Sequence, residues 1–272
     1  MIPKIIHFVW VGGNPLTPLA EKCIESWKNY CPDYEIKRWD ESTFDINENQ
    51  YCKEAYESKK WAFVSDYIRL KVLHEYGGIY MDTDVEVVKP LDEFLVHPAF
   101  SGFENTNKIP TGIIAAEKGN AWVKLMLDYY NDKHFINEDG SLEIVSNVLF
   151  MSELTSKNYK IDFNNKYQDL GDIVFYPLDY FCPYFSSSEV YATENTYTIH
   201  HFASSWLPKK FLKKKQRKAE FRKFIGNFIS FFIGKKNFEK IKAKRRARLA
   251  NKDVDYDKLY DKLKDLEKSE KN

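Results

Sequence analysis

The chain has 272 residues, 43% apolar and 16% aromatic, which is enough to bury one large core, and its formal charge is a nearly balanced +1. Cys23, Cys31, Cys52 and Cys182 have no CxxC spacing and no dense pattern. They read as reduced thiols rather than a disulfide framework or a zinc site. One lysine, Lys4, precedes a short apolar run, too short and wrongly flanked for a signal peptide, and no internal repeat is visible.

In chain order, Ile5–Val9 reads as a strand, 19–30 as a helix and Glu35–Trp39 as a second strand. Helices follow at 50–57 and 61–76; in the latter Val64, Ile68 and Val72 recur at helical spacing, with Leu73 and Tyr76 beside them. Gly77 and Gly78 then supply a helix stop. Short strands at 79–81 and 85–88 flank a pair of carboxylates, with Pro90 ending the second. Further strands are expected at 99–103 and 112–116, and helices at 120–131 and 141–152. Interleaved strands and helices indicate an α/β fold with a mostly parallel central sheet.

The carboxylate pair is the sharpest chemical signal. Asp82 and Asp84 stand one residue apart after an apolar strand, so in an extended segment they point to one side. Two such carboxylates suit Mg²⁺ or Mn²⁺, which can bridge to a phosphate-bearing substrate, and strand carboxyl ends are where ligands gather in α/β sheets. An Asp-x-Asp pair also occurs in many solvated loops. Asp66 and Arg69 lie three apart on the preceding helix and share a face. On spacing alone they are a surface ion pair worth about 0–1 kcal/mol; the functional alternative is an acceptor and a donor fork gripping sugar hydroxyls. His7, within an apolar strand, reads as a core or turn residue, and Trp27, Trp39 and Trp122 read as core aromatics. Asn147 falls in the 141–152 helix of the substrate-facing half.

Residues 62–70 followed by 77–84 resemble the central signature of the DxD-containing sugar transferases of glycosyltransferase family 32. Residues 2–13 are similar to that family's first strand and loop, 32–39 to its second strand, and 199–206 to its closing His/Ser/Trp motif. Four blocks in order cover residues 1–207, and they favour the functional reading of Asp66 and Arg69. The resemblance implies a GT-A (Rossmann-like) fold over 1–207, to which the charge pattern adds a C-terminal basic helical extension. It places Val9 and Trp10 at the donor base, where a stacked aromatic contributes about 1–3 kcal/mol in nucleic-acid systems. Asp66 and Arg69 would hold the transferred sugar or the ribose, and Tyr80 would lie beside the donor. Asp82 would contact ribose or metal, Asp84 would ligate the metal, and His201 and Ser204 would complete a Mn²⁺ or Mg²⁺ site. Ser204 and Trp206 would also face the donor, with Trp206 at the diphosphate or leaving oxygen. If 199–206 is extended, His200 points away from His201, so only one of the two is counted as a ligand.

Charge divides the chain. Residues 1–208 carry 18 Lys/Arg against 31 Asp/Glu, whereas 209–250 carry 17 against 2. The basic segment encloses the apolar run 224–233, well short of the ~20 residues a spanning helix needs. Segment 208–250 is therefore expected to form a basic amphipathic helical membrane-association element at an anionic surface. Packing on the catalytic domain is the structural alternative. Nucleic acid is not expected as a partner, because Phe and Ile interrupt the charges and no nucleic-acid module is visible. Residues 251–272 are a charged helical or frayed tail.

The resulting expectation is a retaining, metal-dependent hexosyltransferase, cytoplasmic and peripheral on the inner face of the membrane. It would move galactose or glucose from a UDP-sugar, with GDP-mannose open, to a lipid-linked glycan such as a capsular repeat unit. The alternatives are a transferase with a protein acceptor and an inactive sugar-nucleotide- or membrane-binding scaffold. The first differs by labelling protein without lipid, the second by having no turnover.

Overall fold

The computed structural model describes residues 1–104, 108–186, 189–190 and 192–203, with the single positions 217, 234 and 237. β1 (Ile5–Val9) leads to α1 (Pro18–Tyr30), whose start is set by Pro18 in its first turn and by Thr17, whose hydroxyl accepts the Ala20 N–H at 3.2 Å. Ala20, Cys23, Ile24 and Trp27 then form the buried stripe of that helix. β2 (Glu35–Trp39), α2 (Gln50–Glu57) and α3 (Trp61–Tyr76) follow, then β3 (Gly78–Met81), β4 (Val85–Val87), β5 (Ala99–Gly102) and β6 (Ile113–Ala116). After them come α4 (Ala121–Asp128), α5 (Asn147–Asn158), β7 (Gln168–Asp169), β8 (Val174–Tyr176) and α6 (Leu178–Phe181). β9 (Tyr184–Ser186), β10 (Glu189–Val190) and β11 (Thr198–His200) complete the described elements.

Seven strands form the main sheet in the order β2-β1-β3-β6-β5-β8-β7. β2, β1, β3, β5 and β8 point one way, and only β6 and β7 are reversed, so the sheet is mostly parallel, as expected. The reversal of β6 has a local consequence: its first residues stand beside the carboxyl end of β3, with Met81 opposite Ile113. A separate antiparallel pair, β4 with β11, sets His200 opposite Val85.

Side-chain alternation splits the core into two layers. Tyr80, Ile114 and Ala116 face α3, α4 and α5, while Ile79, Met81, Ile113 and Ala115 face α1 and α6. α3 is buried on nearly every side, Asp66 and Arg69 included, because α2 and α4 pack on it from beyond the sheet. The apolar stripe read from the sequence is thus only one of its buried faces. Trp27, Trp39 and Trp122 are buried as expected, and all four cysteines are buried and unpaired.

Two helices differ from expectation. The segment expected to be helical from 141 begins as a turn: Ile136 bridges Leu142, Gly140 takes φ +77°, and the Asp139 carboxylate accepts the Ser141 N–H at 2.9 Å. Helix α5 starts only after Ser146. α4 stops at Asp128, where the chain turns toward Asp132, at φ +57°. Glu54 fixes the following loop by accepting the Phe135 and Ile136 N–H groups at 2.7 and 2.9 Å. Burial pushes its carboxyl up, but these bonds and those from Gln50 and His134 outweigh it and bring it down to about 2.

His7 is buried and anchors the turn into β3. Its Nδ1 accepts the Trp39 indole N–H at 3.0 Å, so Nε2–H donates to the Gly77 carbonyl at 2.7 Å. Gly78 sits at φ +108°, and a Cβ there would lie 2.7 Å from the Ile5 carbonyl and 2.9 Å from His7 Nε2. Burial depresses the His7 imidazole to about 4. The neutral ring favours the folded chain, so its contribution is full above pH 6.5 and is lost as pH falls toward 4. The expected result is that wild type loses on the order of 3 kcal/mol more than His7→Gln across that window. Urea unfolding at pH 7.5 and pH 4.5 checks this, and equal losses in the two proteins would contradict it.

Candidate active site

Because β1 and β3 are parallel, with His7 beside Tyr80, Val9, Trp10 and Asp82 emerge at one end of the sheet. Val9 is buried against the α3 layer and Trp10 is half-buried, its indole N–H donating to the Asn14 carbonyl at 2.7 Å. Asp82 leaves β3 with its N–H donating to the Gly112 carbonyl at 2.8 Å. Its side chain falls on the same face as Tyr80, whose hydroxyl donates to Oδ1 at 2.9 Å.

That face meets the Asp66 and Arg69 turn of α3. Arg69 is 4% exposed and Asp66 is 7% exposed, so the pair is not the surface ion pair that spacing alone allowed. The guanidinium reaches Asp66 Oδ1 at 2.9 Å and Asp82 Oδ1 at 3.3 Å and donates to the Thr111 carbonyl at 2.7 Å. It also bonds Ser65 and lies 4.6 Å from the centre of the Tyr80 ring. Asn147, the first residue of α5, donates its amide N–H to Asp66 and accepts the Thr111 hydroxyl at 3.2 Å. Asp66, Arg69, Tyr80 and Asp82 thus lie in contact with one another, joined by Thr111 and Asn147. Burial pushes the Asp66 carboxyl up to about 7, with Arg69 pulling against it.

Asp84 faces a second set of partners. Its Oδ2 accepts the Ala203 N–H at 2.8 Å and its Oδ1 lies 3.2 Å from His200 Nε2. Burial would raise the Asp84 carboxyl, but the His200 charge and these hydrogen bonds hold it down at about 2. Burial lowers the His200 imidazole, and the Asp84 carboxylate more than compensates, so it is raised. Asp82, Asp84 and His200 each offer a ligand atom within 4.8 Å of the others.

The two histidines face different partners, and it is His200, not His201, that stands beside the carboxylate pair. His201, expected as a ligand, turns away: its Nε2 meets Glu86 Oε2 at 2.7 Å, and Lys22 holds the same oxygen at 2.8 Å. Strand alternation puts the two imidazoles on opposite sides, and pairing with β4 sets His200 inward. Ser204 and Trp206 lie outside the described residues, as does nearly all of 208–250 and the whole of 251–272.

Two carboxylates and an imidazole fit a divalent ion such as Mn²⁺. His200 turns Nε2 toward Asp84, and its Nδ1 is buried without a hydrogen-bond partner. Sequence reasoning missed His200, Thr111 and Gly112. The doubled histidine was a signal for the first; nothing local marks the other two, which reach the site only through the reversed β6.

The family described as "Glycosyltransferase sugar-binding region containing DXD motif" matches residues 18–101. Inositol phosphoceramide mannosyltransferase 3 of Schizosaccharomyces pombe is 31% identical over 129 residues, 45% of this chain and 35% of that protein. An uncharacterized glycosyltransferase, L373, of Acanthamoeba polyphaga mimivirus is 25% identical over 223 residues, 76% of this chain and 85% of that protein. Among solved structures, the PaToxG glycosyltransferase is 19% identical with a TM-score of 0.43, covering 57% of this chain and 68% of that one. The chain spans between 24% and 35% of the first curated relatives it matches. It is through residues 18–101, which include Asp82 and Asp84, that the chain is similar to the DXD-containing sugar-binding region of glycosyltransferases.

Proposed function

We propose that the protein is a retaining, divalent-metal-dependent GT-A glycosyltransferase that moves a hexose from a nucleotide-diphosphate sugar to a lipid-linked glycan. The observation that carries the reading is the convergence of Asp82, Asp84 and His200 beside the buried Asp66–Arg69–Asn147 network.

Asp82, Asp84 and His200 would hold Mn²⁺ or Mg²⁺, with Ser204 as a further candidate ligand. Such an ion supplies Lewis-acid neutralisation of the charge developing on a departing diphosphate. Asp66 presents a carboxylate and Asn147 an amide to sugar hydroxyls, while Arg69 and Tyr80 fix Asp82 and Asp66 in place. Trp10 would meet the base and Trp206 the diphosphate. An α-linked donor would give an α-linked product by front-face attack of the acceptor hydroxyl, with the leaving diphosphate accepting the proton.

UDP-galactose and UDP-glucose are the favoured donors. GDP-mannose is the second reading, supported by relatives named an inositol phosphoceramide mannosyltransferase and a mannosyl phosphorylinositol ceramide synthase. The name of one relative, an inositol phosphoceramide mannosyltransferase, supports a lipid acceptor, and a capsular or other surface glycan is the proposed product class. No described helix is long and apolar enough to cross a membrane. Residues 209–250 would hold the enzyme at the cytoplasmic face of an anionic bilayer. Flotation with phosphatidylglycerol vesicles is expected to carry the full chain but not a chain lacking 209–250; equal flotation would remove the membrane assignment.

A further inference from the structure

We propose that Gly112 is a positioning residue that admits the His200 imidazole to the carboxylate pair, so that metal affinity depends on position 112 lacking a side chain. The inference rests on the reading of Asp82, Asp84 and His200 as ligands.

Gly112 immediately precedes β6 and, because β6 is reversed, lies against the end of β3. Its carbonyl accepts the Asp82 N–H at 2.8 Å, which ties it to one ligand through the backbone. Its α-carbon faces another. A Cβ at Gly112 would stand 2.8 Å from His200 Nδ1 and 2.9 Å from Cε1, closer than packed atoms approach, and a tight 3.3 Å from Cγ. The Gly112 backbone is not in the left-handed region, so the requirement for glycine there is steric, not conformational.

The ring has little room to yield. Its backbone is paired with Val85 in the β4–β11 ladder, and Nε2 sits 3.2 Å from Asp84 Oδ1. Phe202 stacks on it with centroids 4.1 Å apart and planes tilted by 26°. Cys182, itself buried, lies beside it as well. A methyl at 112 must therefore push the imidazole away from the carboxylates or loosen one of these contacts. The preceding residue acts on the other half of the site: Thr111 accepts from Arg69 through its carbonyl and donates to Asn147 through its hydroxyl. Two consecutive residues at the start of one reversed strand thus set both the metal-side and the sugar-side geometry.

Mn²⁺ binding to the metal-free full-length protein, read from the electron paramagnetic resonance signal of free Mn²⁺, tests this in a double-mutant cycle. Gly112→Ala is expected to weaken Mn²⁺ about tenfold, within the range seen when residues supporting a metal ligand are changed. His200→Ala is expected to weaken it at least as much, and Gly112→Ala/His200→Ala to match His200→Ala alone, because the methyl then meets no ring. Wild-type affinity in Gly112→Ala, or losses that add in the double variant, would overturn the proposal. Unchanged affinity in His200→Ala would instead refute the ligand reading beneath it. If Gly112→Ala fails to fold, the double variant is expected to recover the fold, and a double variant equally unfolded also overturns the proposal.

Discussion

Asp84→Asn is expected to lower sugar transfer by about 10³-fold, the upper end of what removing one charge-stabilising group costs an active site. The asparagine keeps the shape and can still accept the Ala203 N–H through its amide oxygen, so the local backbone persists. It loses the negative charge that faces His200 and would face the metal. Asp82→Asn is expected to cost less, because Asp82 divides its charge between the metal position and Arg69. Steady-state kinetics at saturating Mn²⁺, with circular dichroism to confirm folding, would check the order. Equal turnover by Asp84→Asn and wild type would contradict it.

The largest stability effect is expected at Arg69. Its guanidinium is buried and satisfied by Asp66, Asp82, Ser65 and the Thr111 carbonyl. Arg69→Met removes the cation but leaves two carboxylates facing one another, so a loss of about 3–5 kcal/mol is expected. The loss should grow with pH. Burial already raises the Asp66 carboxyl to about 7, and without Arg69 it rises further. The folded variant therefore binds a proton that the unfolded chain, with an aspartate near 3.9, releases, and each rise in pH favours unfolding. Urea unfolding at pH 6 and pH 8 should show the larger deficit at pH 8; a deficit independent of pH would contradict the account. Arg69→Lys restores charge without the planar fork and should recover only part of the loss.

The sequence located much of this site because the decisive signals are local. The Gly77–Gly78 stop, the apolar β3 and the carboxylates one residue apart lie in one stretch of eight residues, and the strands and helices up to Met81 fall within a residue or two of their expected limits. What escaped is set by tertiary pairing. A three-residue strand such as β8, bounded by Gly171 and Pro177, is too short to show a period. The direction of β6 is not written in its apolar run, yet that direction brings Thr111 and Gly112 to the carboxylates. Alternation says that His200 and His201 oppose one another. Which faces inward is decided by the register with β4 and by the Glu86–Lys22 pair that holds His201 outside. The burial of Asp66 and Arg69 likewise depends on α2 and α4 closing over α3, beyond the reach of three-residue spacing.

The most direct test of the central claim is donor hydrolysis across UDP-galactose, UDP-glucose and GDP-mannose, with Mn²⁺, Mg²⁺ or EDTA. The account predicts that one donor is turned over only when a divalent ion is present and that EDTA abolishes the reaction. Turnover undiminished by EDTA, or no turnover of any donor even with membrane lipid extract supplied as acceptor, would contradict it.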